Sequence, residues 1–344
     1  MMTTGFISSL NLWNAPRTGV SRLQNELADT FREINTQRHA DIGATLGNGV
    51  ADAFSLRRQN AVLAALTQSN GTASLRLETS QAALKAIQTD ADAMLEELLA
   101  LSVDKRAAAI VTPAATRLAT LAASLNTSAA GQFVFGGIDT EAPPLVPYGG
   151  SPASATRTAV QTALAAAFPS GKINATAAEM TAFLDALQAG PFSATGWSQS
   201  SGASDQTFES RISLSETATT SASANAAPLR DLALAYVIGS DIGLSDFPAE
   251  VQAAASARMI DLLGRASRGL VQMQADLGIS QSRITEANLR MDKQSKILTS
   301  QILSRESVDP VEAKSRVDAL STQIQMSYGL TAQLRSLKLI NYVS

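Results

Sequence analysis

The sequence predicts a mainly α-helical protein in which long helices from both chain ends form an antiparallel bundle or coiled coil around a central α+β insert. Apolar residues recur at steps of three and four near both termini, which is the spacing of one helix face. Glycine, proline and short apolar runs are concentrated between about residues 131 and 225. Aromatic residues make up only 5% of the 344 residues, and small side chains are abundant, which favours closely packed helices.

The first helix is predicted from a single apolar stripe near the N-terminus. Asn14, Pro16 and Gly19, which come before or at its start, are expected to be turn or helix-start positions. Three glycines after the stripe indicate a loop over about 41–50. The stripe consists of Val20, Leu23, Leu27, Phe31 and Ile34.

A second helix has the stronger signal, since its apolar residues form a heptad seam over about three heptads. That seam extends back through Leu77 and Leu66. A third helix follows, with Pro113 expected near its start, where a missing N–H does no harm. The seam residues of the second helix are Leu84, Ile87, Ala91, Met94, Leu98 and Leu101, and those of the third are Leu118, Leu121 and Leu125.

The insert is predicted to contain short strands and short helices. Residues 132–135 form an apolar run ended by Gly136 and Gly137, which indicates a strand. Residues 208–214 indicate another strand. Two helix candidates lie between them, the second stopped by Gly190 and Pro191. The helix candidates carry Val160, Leu164 and Phe168, and Met180, Phe183, Leu184 and Leu187.

The C-terminal part returns to helical periodicity. A helix with Leu229 and Tyr236 precedes a long helix over about 249–304, and Pro310 indicates a break before the last helix. The long helix has a seam that includes Met259, Leu263, Leu270 and Met273. The last helix carries Val317, Leu320, Ile324, Leu330, Leu334 and Leu337.

These elements divide the chain into five parts. We expect an N-terminal assembly helix (1–45), two halves of a helical rod (46–130 and 226–306), the insert (131–225) and a C-terminal assembly helix (307–344). The seams of the second and the long helix are assigned to the rod core. The two terminal stripes are assigned to contacts between subunits, because two helices alone bury too little surface to be stable. The alternative is that the terminal stripes pack only on each other.

Composition excludes several kinds of function. There is no cysteine and a single histidine, His39, so thiolate sites and two-histidine metal sites are impossible. A net charge of -3 argues against a nucleic-acid partner. No stretch is expected to span a membrane, and the N-terminus does not have the pattern of a cleaved signal peptide. No nucleotide-binding or hydrolase motif occurs, so no catalytic, cofactor-binding or metal site is predicted.

Both ends of the sequence resemble the flagellin family of bacterial flagellar axial proteins. The opening 6–10 with the first apolar stripe is similar to the family's N-terminal helix, and 41–49 is similar to the loop after it. The closing 334–343, which ends in Ile-Asn-Tyr-Val, is similar to its C-terminal helix. The segment 131–145 is similar to a stretch typical of those members that join the hook to the filament.

This resemblance implies a non-enzymatic structural subunit of the extracellular flagellum, exported without a cleaved signal peptide through the flagellar type III apparatus. It implies partners as well: copies of the chain in a ring, the first hook–filament junction protein, flagellin, and an export chaperone on the C-terminal helix. Two alternatives stay open. The chain could be the filament subunit itself, or a soluble coiled-coil scaffold or type III secreted protein without a flagellar role.

Overall fold

The computed structural model describes residues 9–150 and 153–336, and α-helices dominate this part of the chain. The fold is mainly α-helical, as predicted, with two very long helices and two small β-hairpins. The α-helices are α1 (Ser9–Thr36), α2 (Ile42–Leu46), α3 (Val50–Ala100), α4 (Val103–Leu125), α5 (Ala155–Ala167), α6 (Ala177–Ala189), α7 (Ala194–Trp197), α8 (Ala227–Ser240), α9 (Ala249–Glu306) and α10 (Pro310–Ser336).

The strands form two antiparallel pairs in the middle of the chain. Strand β1 (Ser128–Ala129) pairs with β2 (Gln132–Phe133), and β3 (Glu209–Arg211) pairs with β4 (Thr217–Thr219). The predicted strands at residues 132–135 and 208–214 are thus present in shortened form. Their partners, β1 and β4, are each only two or three residues long and do not have an alternating pattern that sequence reasoning could use.

The chain divides into two compact units. The terminal unit consists of residues 1–64 and 292–344, and the central unit of residues 65–291. In the terminal unit, α1 packs along α10. In the central unit, α4 packs along α8, and α5 packs on α6. Helices α3 and α9 contribute residues to both units.

The central unit has one continuous hydrophobic core. It includes fully buried rod residues such as Leu84 and Leu263 together with insert residues such as Phe135 and Met180. Helix α8 is buried along nearly its whole length, and all residues from Leu232 to Gly239 lie in the interior. The insert therefore shares its core with the rod helices rather than enclosing one of its own, and the five-part division of the chain remains a proposal.

Three residues expected before or near helix starts lie well inside helices. Helix α1 runs through Pro16 and Gly19, and α4 runs through Pro113, which is its eleventh residue. A proline inside a helix costs about 3 kcal/mol. In α4 this cost is offset by packing on both sides of Pro113, since Ile110, Ala114 and five other helix residues are buried. Tertiary packing here outweighs the local signal.

The predicted loop at 41–50 is more ordered than the sequence indicates. Asp41 caps the short helix α2, because its Oδ1 accepts a hydrogen bond from the Ala44 N–H at 2.8 Å. A single 3-10 turn, Gly47–Gly49, then leads directly into α3. Gly47 has φ = +49°, a conformation that glycine adopts without strain.

Helix α4 revises the expectation that no segment could span a membrane. With 23 residues from Val103 to Leu125, it is long and apolar enough for that by length and composition. Seven of its residues are buried against neighbouring elements, including Ile110, Leu118 and Leu125. A buried core helix of a protein in water has the same composition, so the helix by itself is weak evidence for a membrane location.

Tyr236 on α8 is 1% exposed, and its hydroxyl has no hydrogen-bond partner among the described residues. Burial and the nearby Asp90 carboxylate raise the pKa of this phenol far above its ordinary value of about 10. The folded state therefore holds a neutral phenol that ionises readily only after unfolding. The stability that this contributes is complete below about pH 10 and is lost as the pH rises further.

We expect the denaturant midpoint of the wild-type chain to fall between pH 9 and pH 11, and Tyr236→Phe to reduce that fall. The measurement is urea unfolding followed by circular dichroism at both pH values. The wild-type chain, measured in parallel at both pH values, is the control. An equal fall in Tyr236→Phe and the wild type would contradict the assignment.

Candidate assembly surface

The two terminal stripes predicted from the sequence meet inside one chain. Helices α1 and α10 pack along each other, and Leu320, at 7% exposed, is the most buried of the stripe residues whose side chains are described. Ala313, seven positions earlier on α10, is fully buried. The structure places the following stripe residues at half-buried positions: Val20, Leu23, Leu27, Ile34, Val317 and Ile324.

The alternative interpretation is that the two terminal stripes pack only on each other. It is partly correct, because α1 and α10 cover part of each other's stripe. Half-buried positions still have surface that a second molecule could cover. The assignment of these residues to contacts between subunits therefore stays a proposal. Its strongest support comes from the stripe residues that the α1–α10 contact leaves exposed.

Two stripe residues and three other apolar side chains remain well exposed on this helix pair. Leu330 is 61% exposed and Phe31 is 49% exposed. Val311 and Met326 are exposed by 78% and 57%, and Tyr328 by 53%. Met326 and Leu330 are four residues apart, so they are neighbours on one side of α10. Leu334 and Leu337, also predicted to contact other subunits, lie outside the residues whose side chains the structure describes.

An ion cluster fixes the ends of the two long helices in the terminal unit. The Glu306 carboxylate is only 1% exposed and accepts hydrogen bonds from Arg38 and from Arg57, the latter at 2.7 Å. Backbone hydrogen bonds join the same segments, since the His39 N–H donates to the Glu306 carbonyl at 3.0 Å and Val308 donates to Gln37. Residues next to the N-terminal helix are thereby tied to those that precede the C-terminal helix.

The carboxylate of Glu33 makes a second set of contacts in the terminal unit. Glu33 on α1 is largely buried, lies 3.3 Å from Arg316 on α10 and accepts a hydrogen bond from the Ala40 N–H at 3.0 Å. Its Oε1 atom is 3.6 Å from Nδ1 of His39. His39 is thus half-buried beside a carboxylate.

We expect Glu306→Gln to lower the free energy of unfolding of the terminal unit by about 2–3 kcal/mol, because it removes a buried charge that receives two charge-assisted hydrogen bonds. The arginines are about 40% exposed, so water partly solvates them after the change. Asp52→Asn is the matched control. The Asp52–Arg305 pair is exposed, and its loss should cost less than about 1 kcal/mol. Equal losses measured by chemical denaturation would contradict this prediction.

The residues predicted to form the rod core lie in the central unit. Leu84, Met94, Leu98, Met259, Leu263 and Leu270 have no exposed surface, and Ile87 is 3% exposed. Leu101 and Met273 are half-buried.

Polar side chains also join α3 to α9 in the central unit. Asn70 Nδ2 donates to Asn288 at 2.7 Å, and Ser267 Oγ donates to Asp92 at 2.6 Å.

The segment 131–145 lies where three stretches of backbone converge. Phe135 is fully buried, and its carbonyl accepts a hydrogen bond from the Ala224 N–H at 2.8 Å. The Gly136 carbonyl accepts from Ser204, and the Gly137 N–H donates to Ala222. This segment therefore ties the start of the insert to residues 204 and 222–224 near its end.

Sequence reasoning missed the ion cluster and the role of these glycines. The only available signals were charged residues beside predicted helix ends, such as Arg38 and Glu306, and a glycine pair after an apolar run. Neither signal specifies a partner more than 60 residues away. Among the described residues no group of three or more histidine and acidic side chains could hold a metal ion.

Comparison with known protein families identifies the class of protein. Residues 7–140 match the N-terminal helical region of bacterial flagellin, and residues 260–343 match its C-terminal helical region. The search of curated proteins and the search of solved structures found no match. The matched regions contain α1, α3 and α4 on one side and nearly all of α9 with α10 on the other.

The chain belongs to the bacterial flagellin family. It is a structural subunit of the flagellum, from a family without enzymatic activity whose members are exported and assemble into polymers outside the cell. The packed helices from both chain ends are the parts by which it matches that family. Residues 141–259, which include most of the insert, lie outside both matches.

Proposed function

We propose that this chain is a hook–filament junction protein, of the kind called flagellar hook-associated protein 3. Such a subunit forms a ring at the end of the hook, contacts the first hook–filament junction protein on one side and flagellin on the other, and stops after one ring. Copies of the chain in the ring contact one another through their terminal helices. The task is mechanical, because the subunit joins a flexible hook to a stiffer filament.

The observation that carries this proposal is the segment 131–145. Its sequence, with the Gly136–Gly137 pair and the Pro143–Pro144 pair, resembles junction proteins more than filament subunits. Its contacts fit a mechanical role. Gly136 and Gly137 bond to backbone near residues 204 and 222, so force applied to the insert passes into several backbone hydrogen bonds at once.

The terminal unit supports the assembly part of the proposal. Exposed Leu330, Met326 and Phe31 offer apolar surface beside the half-buried seam. An export chaperone that covers α10 before assembly would shield Met326 and Leu330. We also propose export through the flagellar type III apparatus, without a cleaved signal peptide.

Deletion of the gene tests the proposal against its alternatives. Electron microscopy of the cells is combined with an immunoblot of the growth medium for flagellin. Hooks without filaments, together with flagellin shed into the medium, are expected if the joint is missing. The absence of both filaments and shed flagellin would show that the chain is the filament subunit. Normal filaments and normal swimming would favour a soluble coiled-coil scaffold or another type III secreted protein. Complementation with the wild-type gene is the control.

A further inference from the structure

We propose that Arg76 on α3 is a binding site for a carboxylate of a neighbouring subunit, covered in the isolated chain by the ring of Phe208. Nothing in the family assignment or in the proposed junction role specifies such a site. Four features of the guanidinium support the site: its burial, its missing counter-charge, its two donors without partners and the aromatic ring beside it.

Arg76 is a buried cation without an anion. It is 6% exposed, and among the residues whose side chains are described its one hydrogen-bond partner is the neutral amide of Gln132. Burial without a compensating charge lowers the pKa of its guanidinium. Removing an arginine from water without pairing it is costly, so arginines are rarely buried alone. Arg117 in the same unit shows the usual solution, with two hydrogen bonds of 3.0 and 2.8 Å to Glu97.

The two nitrogens of Arg76 that have no hydrogen-bond partner lie side by side on the guanidinium. Nη1 of Arg76 donates to Oε1 of Gln132 at 3.0 Å, whereas Nε and Nη2 have no hydrogen-bond partner among the described residues. In a planar guanidinium, the Nε–H and one Nη–H bond point to the same side and run parallel. Their spacing matches the two oxygens of a carboxylate, which binds them in a bidentate manner. Gln132 accepts a hydrogen bond from the remaining nitrogen and so holds the guanidinium in place. The edge that would bind a carboxylate is buried and has no hydrogen-bond partner among the described residues.

The cover over the guanidinium can move. The centroid of the Phe208 ring lies 5.6 Å from Cζ of Arg76, and 43% of the phenylalanine is exposed. The Phe208 backbone is held in place, because its N–H donates to Ser221 Oγ at 2.6 Å and its carbonyl accepts from Thr220. The ring can therefore rotate without displacing the hairpin, on the fast timescale of exposed side chains.

The occupant is an aspartate or glutamate side chain of another subunit. Members of this family assemble into polymers of themselves, and each copy of this chain contains 30 aspartate and glutamate residues. A carboxylate that enters the site gains two charge-assisted hydrogen bonds and neutralises a buried cation. The contact would therefore favour the assembled state over the isolated chain.

Stability measurements on the full chain give the first test. We expect Arg76→Met to raise the melting temperature of the isolated protein by about 2–4 °C, because it removes an uncompensated buried charge. Arg117→Met is the matched control and should lower the melting temperature, since it leaves Glu97 without its partner. An unchanged or lowered melting temperature in Arg76→Met would overturn the proposal, because it would show that the guanidinium is already satisfied in the isolated chain.

Direct binding gives the second test. The Nε–H resonance of Arg76 is followed by NMR in Phe208→Ala during titration with formate, with chloride at equal ionic strength as the control. We expect a saturable shift with formate that is weaker in the wild type, where the ring must first move. No saturable shift, or saturation with inorganic phosphate alone, would overturn the assignment to a carboxylate.

The third test concerns assembly. We expect Arg76→Met and Arg76→Lys both to raise the protein concentration needed for self-assembly by about tenfold or more, because a lysine retains the charge but has no parallel pair of donors. Assembly of both variants at wild-type concentrations would overturn the link to a neighbouring subunit. The stability and NMR tests use the isolated chain, so their outcome does not depend on whether the chain is a junction protein.

Discussion

Replacing Leu330 by aspartate is expected to abolish assembly of the chain while leaving the isolated protein folded. Leu330 is 61% exposed on α10, so a charge at this position meets water in the isolated chain and changes its stability by no more than about 0.5 kcal/mol. In a contact between subunits the same charge would lose its hydration, and a buried leucine worth about 1.5–3 kcal/mol would be lost as well. We expect the concentration needed for assembly to rise more than about 100-fold.

The control for this change is Gln325→Asp, which introduces the same charge at a polar, exposed position of the same helix. Circular dichroism should give equal melting curves for both variants, and sedimentation with electron microscopy should separate them by assembly. If Leu330→Asp assembles at the wild-type concentration, the exposed side of α10 is not a contact surface. If its melting temperature falls sharply, the residue contributes to folding of the chain itself.

Gly136→Ala is expected to destabilise the central unit by about 3 kcal/mol or more. A Cβ atom at this position would lie 2.0 Å from the Asp139 carbonyl oxygen, which is backbone and cannot rotate away. Its neighbour Gly137 has φ = +65°, and a Cβ there would lie 2.5 Å from the carbonyl oxygens of Ser204 and Gln206. Gly137→Ala is expected to cost a similar amount, because backbone strain adds to the steric clash.

Gly71→Ala is the matched control for these glycines. Gly71 lies inside α3, and a Cβ atom added to it would meet nothing within 4 Å. Alanine should stabilise the helix by about 0.5–1 kcal/mol there. Urea unfolding of the three variants compares two crowded loop positions with an open helical one. A loss of less than about 1 kcal/mol in Gly136→Ala would show that the segment can relax, which would weaken its proposed mechanical role.

Much of the helical architecture could be predicted from periodicity. The long helix predicted over about 249–304 agrees closely with α9, and the seam from Leu84 to Leu98 lies within α3, because heptad spacing is a strong signal over many turns. Leu101, which the sequence assigns to the same seam, follows the end of α3 at Ala100. The break at Pro310 is likewise confirmed, since α10 begins at that residue. Both α1 and α4 could be predicted, but their extension towards the N-terminus through Pro16 and Pro113 could not be. Their continuity depends on packing, which a local signal does not contain.

The candidate assembly surface could be predicted only in part. An apolar stripe such as Val20 to Ile34 shows that one helix face will be covered, but the pattern is the same whether the cover comes from the same chain or from another. The structure shows that α10 covers much of it. The contacts of Glu306 with Arg38 and Arg57 could not be predicted, since residues 249 and 268 positions apart in sequence give no local sign of their pairing.

The export route proposed above, through the narrow channel of a type III apparatus, would make the pairing of α1 with α10 constrain the order in which the chain folds. Glu33 and Arg316 are 283 positions apart, so this contact closes one of the largest loops in the molecule. Whichever end leaves the channel first must wait, unpaired, until the other end has followed. The central unit can bury its core while that wait lasts, because its contacts lie between residues 65 and 291. The terminal helices are consequently the last part of each subunit to close, at the moment when the whole chain has become available to its neighbours.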